Sequence, residues 1–366
     1  MNTLWTVAIA LCSAILVSIG LNPVLIELST RHGWYAKTNH RTIHTGKIPY
    51  IGGIAIFAAF IIGVIATELA VPVAFNTFPQ LTMPFLLFGI CYFSIHVLGL
   101  VDDFVNINAR YKLIVQFAAA AAISIAGYSL KGIQITDDVA ITFGPFSHVL
   151  TIIWLVGVSN AVNLIDGMDG LSGVTSAIAA LFFGIAFLVL GSVQSAIVAF
   201  ALLGGIIGFL LFNWPQAKIF MGDNGALFLG FTLASLPFFE HSGIVRLEYL
   251  FIPVSLLFFP IIDTFMAIGR RIKHRKPFHS PDKEHVHHRL LALGYSQGRI
   301  LIMLMGIVLL PAISALVVLW IELPYGAISV AFGWVTSILF FRIATSKRKK
   351  IDIRSPAKQP TAKPLL

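Results

Sequence analysis

The chain has 366 residues, of which 57% are hydrophobic and 11% charged, and its mean hydropathy is +0.89. This composition excludes a soluble domain, and repeated apolar runs of about 17 residues or more predict membrane-spanning helices. Two cysteines, Cys12 and Cys91, lie inside apolar runs, so no disulfide framework is predicted. The sequence therefore indicates an all-α polytopic membrane protein.

The apolar runs predict eleven membrane-spanning helices. They lie near residues 4–27, 50–71, 81–101, 111–128, 148–164, 171–191, 193–213, 225–240, 248–270, 299–321 and 324–343. The first basic residue is Arg31, so the N-terminus lacks the charged region of a signal peptide and is expected to remain as a helix. Residues 1–345 are expected to form one transmembrane domain, and the basic tail 346–366 is expected to be disordered.

The basic residues predict the orientation of these helices. Nearly all of them lie in alternate loops and in the C-terminal tail, whereas the opposite loops hold only Lys131 and Arg246. The positive-inside rule then places the N-terminus outside and the C-terminus in the cytoplasm. The net charge of +9 is a cytoplasmic surplus that favours anionic lipids and phosphorylated substrates. Nucleic acid is not predicted as a partner, because no nucleic-acid-binding module is present.

One external segment, residues 132–144, alternates between apolar and polar residues on both sides of Asp137 and Asp138. This pattern predicts a small β-hairpin on the outer face, with both aspartates in its turn. His96, inside the third span, is interpreted as a buried histidine with satisfied hydrogen bonds.

The ninth span carries two prolines and one acidic residue. Pro253 and Pro260 predict a kink. Asp263 lies about two turns before Arg270, and an ionisable group inside a span is typical of a functional or paired role. Pairing with Arg270 or Arg271 and a functional role both remain open.

Five aspartates lie at the cytoplasmic ends of predicted spans or in a cytoplasmic loop, and are therefore expected to converge at one membrane face. Carboxylate oxygens suit Mg²⁺, which binds through a few carboxylates and substrate phosphates. The alternative is that they only solvate helix ends or pair with nearby Lys and Arg. The five are Asp102, Asp103, Asp166, Asp169 and Asp223.

A second cluster is the segment 279–289, in which four histidines share one cytoplasmic loop. Zinc is one alternative, but no cysteine is near and two of the histidines are adjacent. Histidine and arginine donors to a diphosphate or a sugar are the preferred interpretation, and a solvated loop is the other alternative. In the first cytoplasmic loop, Gly52 and Gly53 predict a close approach of backbones where a helix begins.

In combination, these motifs resemble the polyprenyl-phosphate N-acetylhexosamine-1-phosphate transferase family. The resemblance runs from Lys47 to Arg289 in matching order and includes the Asp pair, the 160–171 stretch, the Phe-Met-Gly-Asp loop and the His-x-His-His loop. The form of the histidine loop resembles the branches that take UDP-N-acetylglucosamine. One departure is Asn106, where many such members have a third Asp, and this weakens the choice of sugar more than the reaction.

The resemblance implies roles for individual residues. Asp102, Asp103 and Asp223 are implied as Mg²⁺ ligands, with Mn²⁺ as a substitute, and the catalytic set also includes Asp166 and Asp169. Asn163, Gly167, Met168, the Asn213 amide and Phe220, as a face for uracil, are implied around the nucleotide. Phosphate and sugar contacts are implied for Lys47, Lys112, His285, His287, His288 and Arg289.

The resemblance further implies a reaction in a bacterial cytoplasmic membrane. N-acetylglucosamine-1-phosphate passes from a UDP-sugar to undecaprenyl phosphate, and UMP is released. Another UDP-N-acetylhexosamine donor is the alternative within the family, and an ion-coupled transporter is the alternative of another class. Relatives suggest a homodimer, although nothing in the composition argues for one.

Overall fold

Helices dominate the chain. The computed structural model describes residues 3–35, 47–71, 83–239, 243–275, 285–321 and 323–346. Its helices are α1 (Thr3–His32), α2 (Gly52–Ala70), α3 (Met83–Val105), α4 (Ala109–Ile125), α5 (Phe146–Ile165), α6 (Leu171–Val189), α7 (Val193–Asn213), α8 (Gly222–Ser235), α9 (Leu247–Leu256), α10 (Phe258–Lys273), α11 (Val286–Ala292), α12 (Gln297–Val317) and α13 (Tyr325–Ser346). Its strands are β1 (Leu130–Gln134), β2 (Ala140–Thr142) and β3 (Gly243–Arg246).

Where the structure describes them, all eleven segments predicted as spans are largely helical, which confirms the all-α membrane architecture. In the described part of the chain, eight helices are long and apolar enough to cross a bilayer, and α9 with α10 would make a ninth. Helices α4 and α8 have only 17 and 14 residues, so the count of eleven spans remains a prediction. The tail after residue 346 and His279 lie outside the described residues.

The ninth predicted span is broken in two. Helices α9 and α10 meet at Leu257 with an angle of 71° between them. Pro253 lies inside α9, where its missing N–H and its ring favour a bend, so the predicted kink is confirmed. Helix α10 buries Phe258, Phe259, Pro260, Asp263 and Ala267 and carries its basic residues in its last turn.

The predicted hairpin is present, and a third strand extends it to a three-stranded sheet. Strands β1 and β2 pair antiparallel from Gly132 opposite Thr142 to Gln134 opposite Ala140. Asp137 and Asp138 lie in the bend between them. Strand β3, more than 100 residues later, pairs parallel to β1 and joins the α8–α9 connection to the hairpin.

The core lies around α8, in which every residue from Asn224 to Ser235 is buried. Small residues let neighbouring helices approach its N-terminus, as is typical of membrane helix packing. A Cβ atom on Gly53 would lie 2.0 Å from Asn224 Oδ1, and one on Gly99 would lie 2.5 Å from Asn224 Cα. The close approach predicted at the start of α2 is therefore confirmed.

His96 shows the satisfied environment predicted for it. It is 5% exposed, its Nδ1 lies 3.2 Å from the carbonyl oxygen of Asn224, and its ring stacks on Phe57 at 4.4 Å between centroids.

Candidate active site

The N-terminus of α8 is held by a carboxylate from the end of α3. Asp103 Oδ1 accepts a hydrogen bond from Asp223 N at 2.8 Å, and Oδ2 accepts from Asn224 N at 3.1 Å and from Asn224 Nδ2 at 2.6 Å. A carboxylate here also interacts favourably with the positive end of the helix dipole. Asp103 therefore fixes Asp223 in place, and both of its oxygens are used in doing so.

Lys112, from the first turn of α4, joins two other carboxylates. Its ammonium group donates to Asp102 Oδ2 and, at 3.1 Å, to Asp223 Oδ2. Asp102 is 6% exposed, and its Oδ1 accepts from Ile107 N at 2.7 Å. The chain between α3 and α4 turns through Asn106 at φ 56°, a left-handed conformation that Asn and Asp tolerate well. The residue that departs from the family pattern thus shapes the turn that presents Lys112.

Asp223 lies where α3, α4, α5 and α8 meet. Besides the contact with Lys112, its Oδ1 accepts a hydrogen bond from Asn163 Nδ2 at 3.1 Å. One third of its side chain remains exposed, so a ligand can reach the carboxylate.

Asp166 ends α5 beside this group, one residue after the last helical residue. Burial raises the pKa of its carboxyl to about 8, and the charges of Asp223, Asp103 and Asp169 raise this pKa in the same direction. Within the described ranges its carboxylate accepts no hydrogen bond from another residue. Asp166 therefore stands in a strongly negative environment.

Two of the predicted site residues, Asp169 and Asn213, connect loops through hydrogen bonds. Asp169 Oδ2 accepts from Ala217 N at 3.1 Å. Asn213 Oδ1 accepts from Gly170 N at 2.9 Å, and its Nδ2 donates to Ile219 O at 2.7 Å. Both side chains are buried, at 3% and 4% exposure. These contacts join the loop after α5 to the loop between α7 and α8. Because Asp166 begins the first loop and Asp223 lies just after the second, the contacts help to position the carboxylate cluster.

The loop before α2 is joined to the loop before α8. Phe220 N donates to Pro49 O at 2.7 Å, and Phe220 O accepts from Gly52 N at 2.9 Å. The Phe220 side chain remains half-buried, whereas Lys47 is exposed with its Nζ 5.8 Å from the centroid of the Tyr35 ring. The structure thus brings Phe220 and the start of α2 together, whereas Lys47 lies earlier in the loop, beside Tyr35.

The histidine segment, residues 285–289, lies over the loop that follows α5. Its rings form a row, with 5.9 Å between the centroids of His285 and His287 and 4.2 Å between those of His287 and His288. A Cβ atom on Gly167 would lie 2.7 Å from His287 Nε2, so a glycine is needed for this approach. Burial, together with the nearby His288, lowers the pKa of His287 to about 3, which keeps it neutral. Met168 is buried beside this contact, at 4% exposure, and Arg289 is partly buried.

The sequence did not identify the partner of Asp263. Its Oδ2 lies 2.6 Å from His285 Nδ1, so its partner among the described residues is a histidine and not the predicted Arg270 or Arg271. It also did not identify Asn224, whose side chain and backbone bind Asp103. For Asp263, the available signal was an ionisable residue inside an apolar span. For Asn224, it was the Asn that directly follows the Phe-Met-Gly-Asp motif.

The cluster carries more negative than positive charge. It contains four carboxylates, from Asp102, Asp103, Asp166 and Asp223, and the ammonium group of Lys112, which contacts Asp102 and Asp223. Within the described ranges, no three His, Cys, Asp or Glu side chains are arranged as a ready cage for a metal. Chemically, the arrangement can hold cationic or phosphate groups beside an accessible aspartate.

Comparison with known proteins gives a consistent family. Residues 84–239 match the model of glycosyl transferase family 4. The chain is 31% identical over 322 residues to a probable undecaprenyl-phosphate N-acetylglucosaminyl 1-phosphate transferase of Bacillus subtilis, covering 87% of each chain. It is 30% identical to a decaprenyl-phosphate N-acetylglucosaminephosphotransferase of Mycobacterium tuberculosis, covering 91% of this chain and 82% of that one.

A third relative, from Yersinia pestis, is an undecaprenyl-phosphate alpha-N-acetylglucosaminyl 1-phosphate transferase, 27% identical over 83% of this chain and 82% of its own. These matches cover the carboxylate cluster as well as the membrane helices. The chain therefore belongs to glycosyl transferase family 4 and is a membrane sugar-phosphate transferase of the polyprenyl-phosphate N-acetylhexosamine-1-phosphate transferase type.

Proposed function

We propose that this protein transfers N-acetylglucosamine-1-phosphate from UDP-N-acetylglucosamine to undecaprenyl phosphate. UMP is released, and the product is the first lipid-linked intermediate of a cell-surface glycan of the O-antigen, common-antigen or teichoic-acid type. The observation that carries the proposal is the cluster at Asp223, where Lys112 and Asn163 contact a partly exposed carboxylate beside Asp166. The names of the relatives support the choice of lipid and sugar.

The proposed reaction exchanges one phosphoanhydride for another. An oxygen of the lipid phosphate attacks the β-phosphorus of the UDP-sugar, the bond from that phosphorus to the bridging oxygen breaks, and UMP leaves with the bridging oxygen. Because the bonds formed and broken are of one kind, little driving force is needed. The protein must instead hold two anionic phosphates in line against their mutual repulsion.

The chain's own residues fit this task. Lys112 can move its ammonium from Asp223 to a phosphate oxygen, since it now bridges two carboxylates and is partly exposed. Asp223 and Asp166 are the carboxylates best placed to accept a proton from the lipid phosphate or to lie next to the UDP-sugar. The histidine segment, over Gly167, supplies imidazole donors for the sugar or the diphosphate.

A magnesium ion fits the donor set. Mg²⁺ is commonly bound through one or two carboxylates together with substrate phosphates, so a complete protein cage is not required. Asp223 would be a direct ligand, Asp102 would join it once Lys112 turns to the phosphates, and Asp103 would hold Asp223 through the start of α8. When bound, Mg²⁺ or Mn²⁺ would neutralise part of the phosphate charge.

The transporter alternative is less well supported by this arrangement. Transporter sites usually lie near the bilayer midplane on broken helices. Here Asp166 follows the last residue of α5, Asp223 is the second residue of α8, and Asp102 lies in the last turn of α3. Carboxylates at helix ends suit a site that a water-soluble nucleotide and a membrane lipid both reach.

The test is UMP release by the purified protein in detergent with undecaprenyl phosphate and a panel of UDP-sugars, with Mg²⁺ or with EDTA. We expect UMP and a matching glycolipid with UDP-N-acetylglucosamine, and loss of both with EDTA. Release with a different UDP-N-acetylhexosamine alone would contradict the proposed donor and keep the reaction. No release with any UDP-sugar, from folded protein that binds none of them, would contradict the reaction itself.

A further inference from the structure

Asp263 is a buried carboxylate that the proposed reaction does not use. It lies on the buried face of α10 and is 1% exposed. Its Oδ2 lies 2.6 Å from His285 Nδ1, and its Oδ1 accepts from Val286 N at 3.4 Å. Both carboxylate oxygens therefore point at the start of α11, 22 and 23 residues later in the chain.

The contact continues from His285 to the candidate active site. His285 is 5% exposed and its ring is nearly parallel to that of His287, with an interplanar angle of 13°. His287 is 2% exposed, and its Nε2 lies against Gly167 without a hydrogen-bond partner among the described residues. A buried imidazole nitrogen beside Gly167, the residue after Asp166, that has no partner in the described part of the chain points to a group that arrives with the substrate.

We propose that Asp263 is a positioning residue that orients the histidine segment over Gly167, the residue next to Asp166, through its hydrogen bond to His285. This inference rests on the proposed function and deepens it. A hydrogen bond to Nδ1 fixes the tautomer and the ring plane of His285, so that its Nε2 faces away from α10. The stacked ring of His287 then keeps its place beside the loop after α5.

A purely structural role explains these contacts less well. A buried polar pair is weak evidence for stability, because well-packed apolar residues of similar volume often serve as well. Ionisable residues inside membrane helices are more typical of functional sites. Because the span is broken between α9 and α10, Asp263 lies on a helix that is turned by 71° from the direction of α9.

The test is a double-mutant cycle in the full-length protein, with steady-state kinetics for both substrates. The variants are Asp263→Ala, His285→Ala and the two combined. Ser255→Ala is the matched control, because Ser255 is a buried polar residue of α9 that accepts from Trp334 Nε1 at 3.0 Å away from the cluster. For each variant, size-exclusion chromatography checks that the protein is monodisperse, and thermal unfolding gives its Tm.

We expect Asp263→Ala to lower kcat/KM for the UDP-sugar by about ten- to a hundred-fold, mainly through KM, with KM for the lipid phosphate unchanged. His285→Ala should give a similar loss, and the combined variant should lose little more than either single variant. The Ser255→Ala control should stay within about three-fold of the wild type.

Independent, multiplying losses in the combined variant would overturn the proposal. So would a fall in kcat alone with both KM values unchanged, since that is the signature of a smaller folded fraction. If Asp263→Ala does not fold, Asp263→Leu, an apolar side chain of similar volume that accepts no hydrogen bond, takes its place in the same cycle and is judged by the same outcomes. Inactive wild-type protein would instead contradict the proposed reaction, so the two failures are distinguishable.

Discussion

At the scale of single residues, Asp223 has the contacts expected of the central carboxylate. Lys112 and Asn163 each contact one of its oxygens, and Asp103 holds its backbone N–H. The sequence predicted this carboxylate and its neighbours, because acidic residues at the ends of apolar helices stand out. It could not predict Asn224 as the partner of Asp103, because that contact depends on how α3 packs against α8.

Asp223→Asn removes one negative charge and keeps the size of the side chain. We expect turnover to fall at least about a hundred-fold, because electrostatic stabilisation of the transferring phosphate depends on this charge. The Tm should change by only a few degrees. UMP release and thermal unfolding in detergent measure the two quantities. Asp137→Asn, on an exposed bend, is the control and should remain active; activity in Asp223→Asn near that of this control would remove Asp223 from the reaction.

His287 predicts a dependence of stability on pH. Its pKa in the folded protein, about 3, lies below the ordinary value of 6.5, so below pH 6.5 the unfolded chain binds a proton that the folded chain excludes. The folded state should therefore lose about 2 kcal/mol at pH 5 relative to pH 7 from this residue. Thermal unfolding at both pH values should show a smaller loss in His287→Gln, and an equal loss would contradict the buried neutral imidazole.

At the scale of helices, the site depends on how closely α3 and α8 approach. Apolar runs predicted where the helices lie, and glycine pairs predicted one close approach. The sequence could not predict the 71° angle at Leu257, because neighbouring helices determine it. It also could not predict the pairing of β3 with β1, because these strands lie over 100 residues apart in the chain. Proline indicated only that a bend would occur.

Gly99→Ala tests this packing. A Cβ atom at this position would lie 2.5 Å from both Asn224 N and Asp223 O, and backbone atoms cannot move aside cheaply. We expect the variant to push the start of α8 away from α3 and to lower both Tm and turnover. Gly89→Ala, in the same helix with no atom within 4 Å of its Cβ, is the matched control and should keep both. Equal behaviour of the two variants would contradict the close contact.

For the molecule as a whole, the proposed reaction requires the carboxylate cluster to face the cytoplasm. The distribution of Lys and Arg predicts this orientation. It also predicts that the β1–β2 bend and the loop between α7 and α8 lie on opposite sides of the bilayer.

Thiol labelling in sealed, right-side-out vesicles measures that arrangement. Cys12 and Cys91 are first replaced by Ala, and Asp138→Cys or Lys218→Cys is then introduced. We expect an impermeant maleimide to label the position in the bend directly and the position between α7 and α8 only after the vesicles are opened. The reverse pattern would place the carboxylate cluster outside the cell, where no UDP-sugar is supplied.

The proposed reaction transfers a sugar-1-phosphate, and not a sugar alone, at the Asp223 cluster. The most direct measurement is the identity of the nucleotide released from UDP-N-acetylglucosamine in the presence of undecaprenyl phosphate and Mg²⁺. We expect UMP, in equal amount to a lipid product that contains a diphosphate, and neither product from Asp223→Asn. Release of UDP with a lipid monophosphate-linked sugar would contradict it.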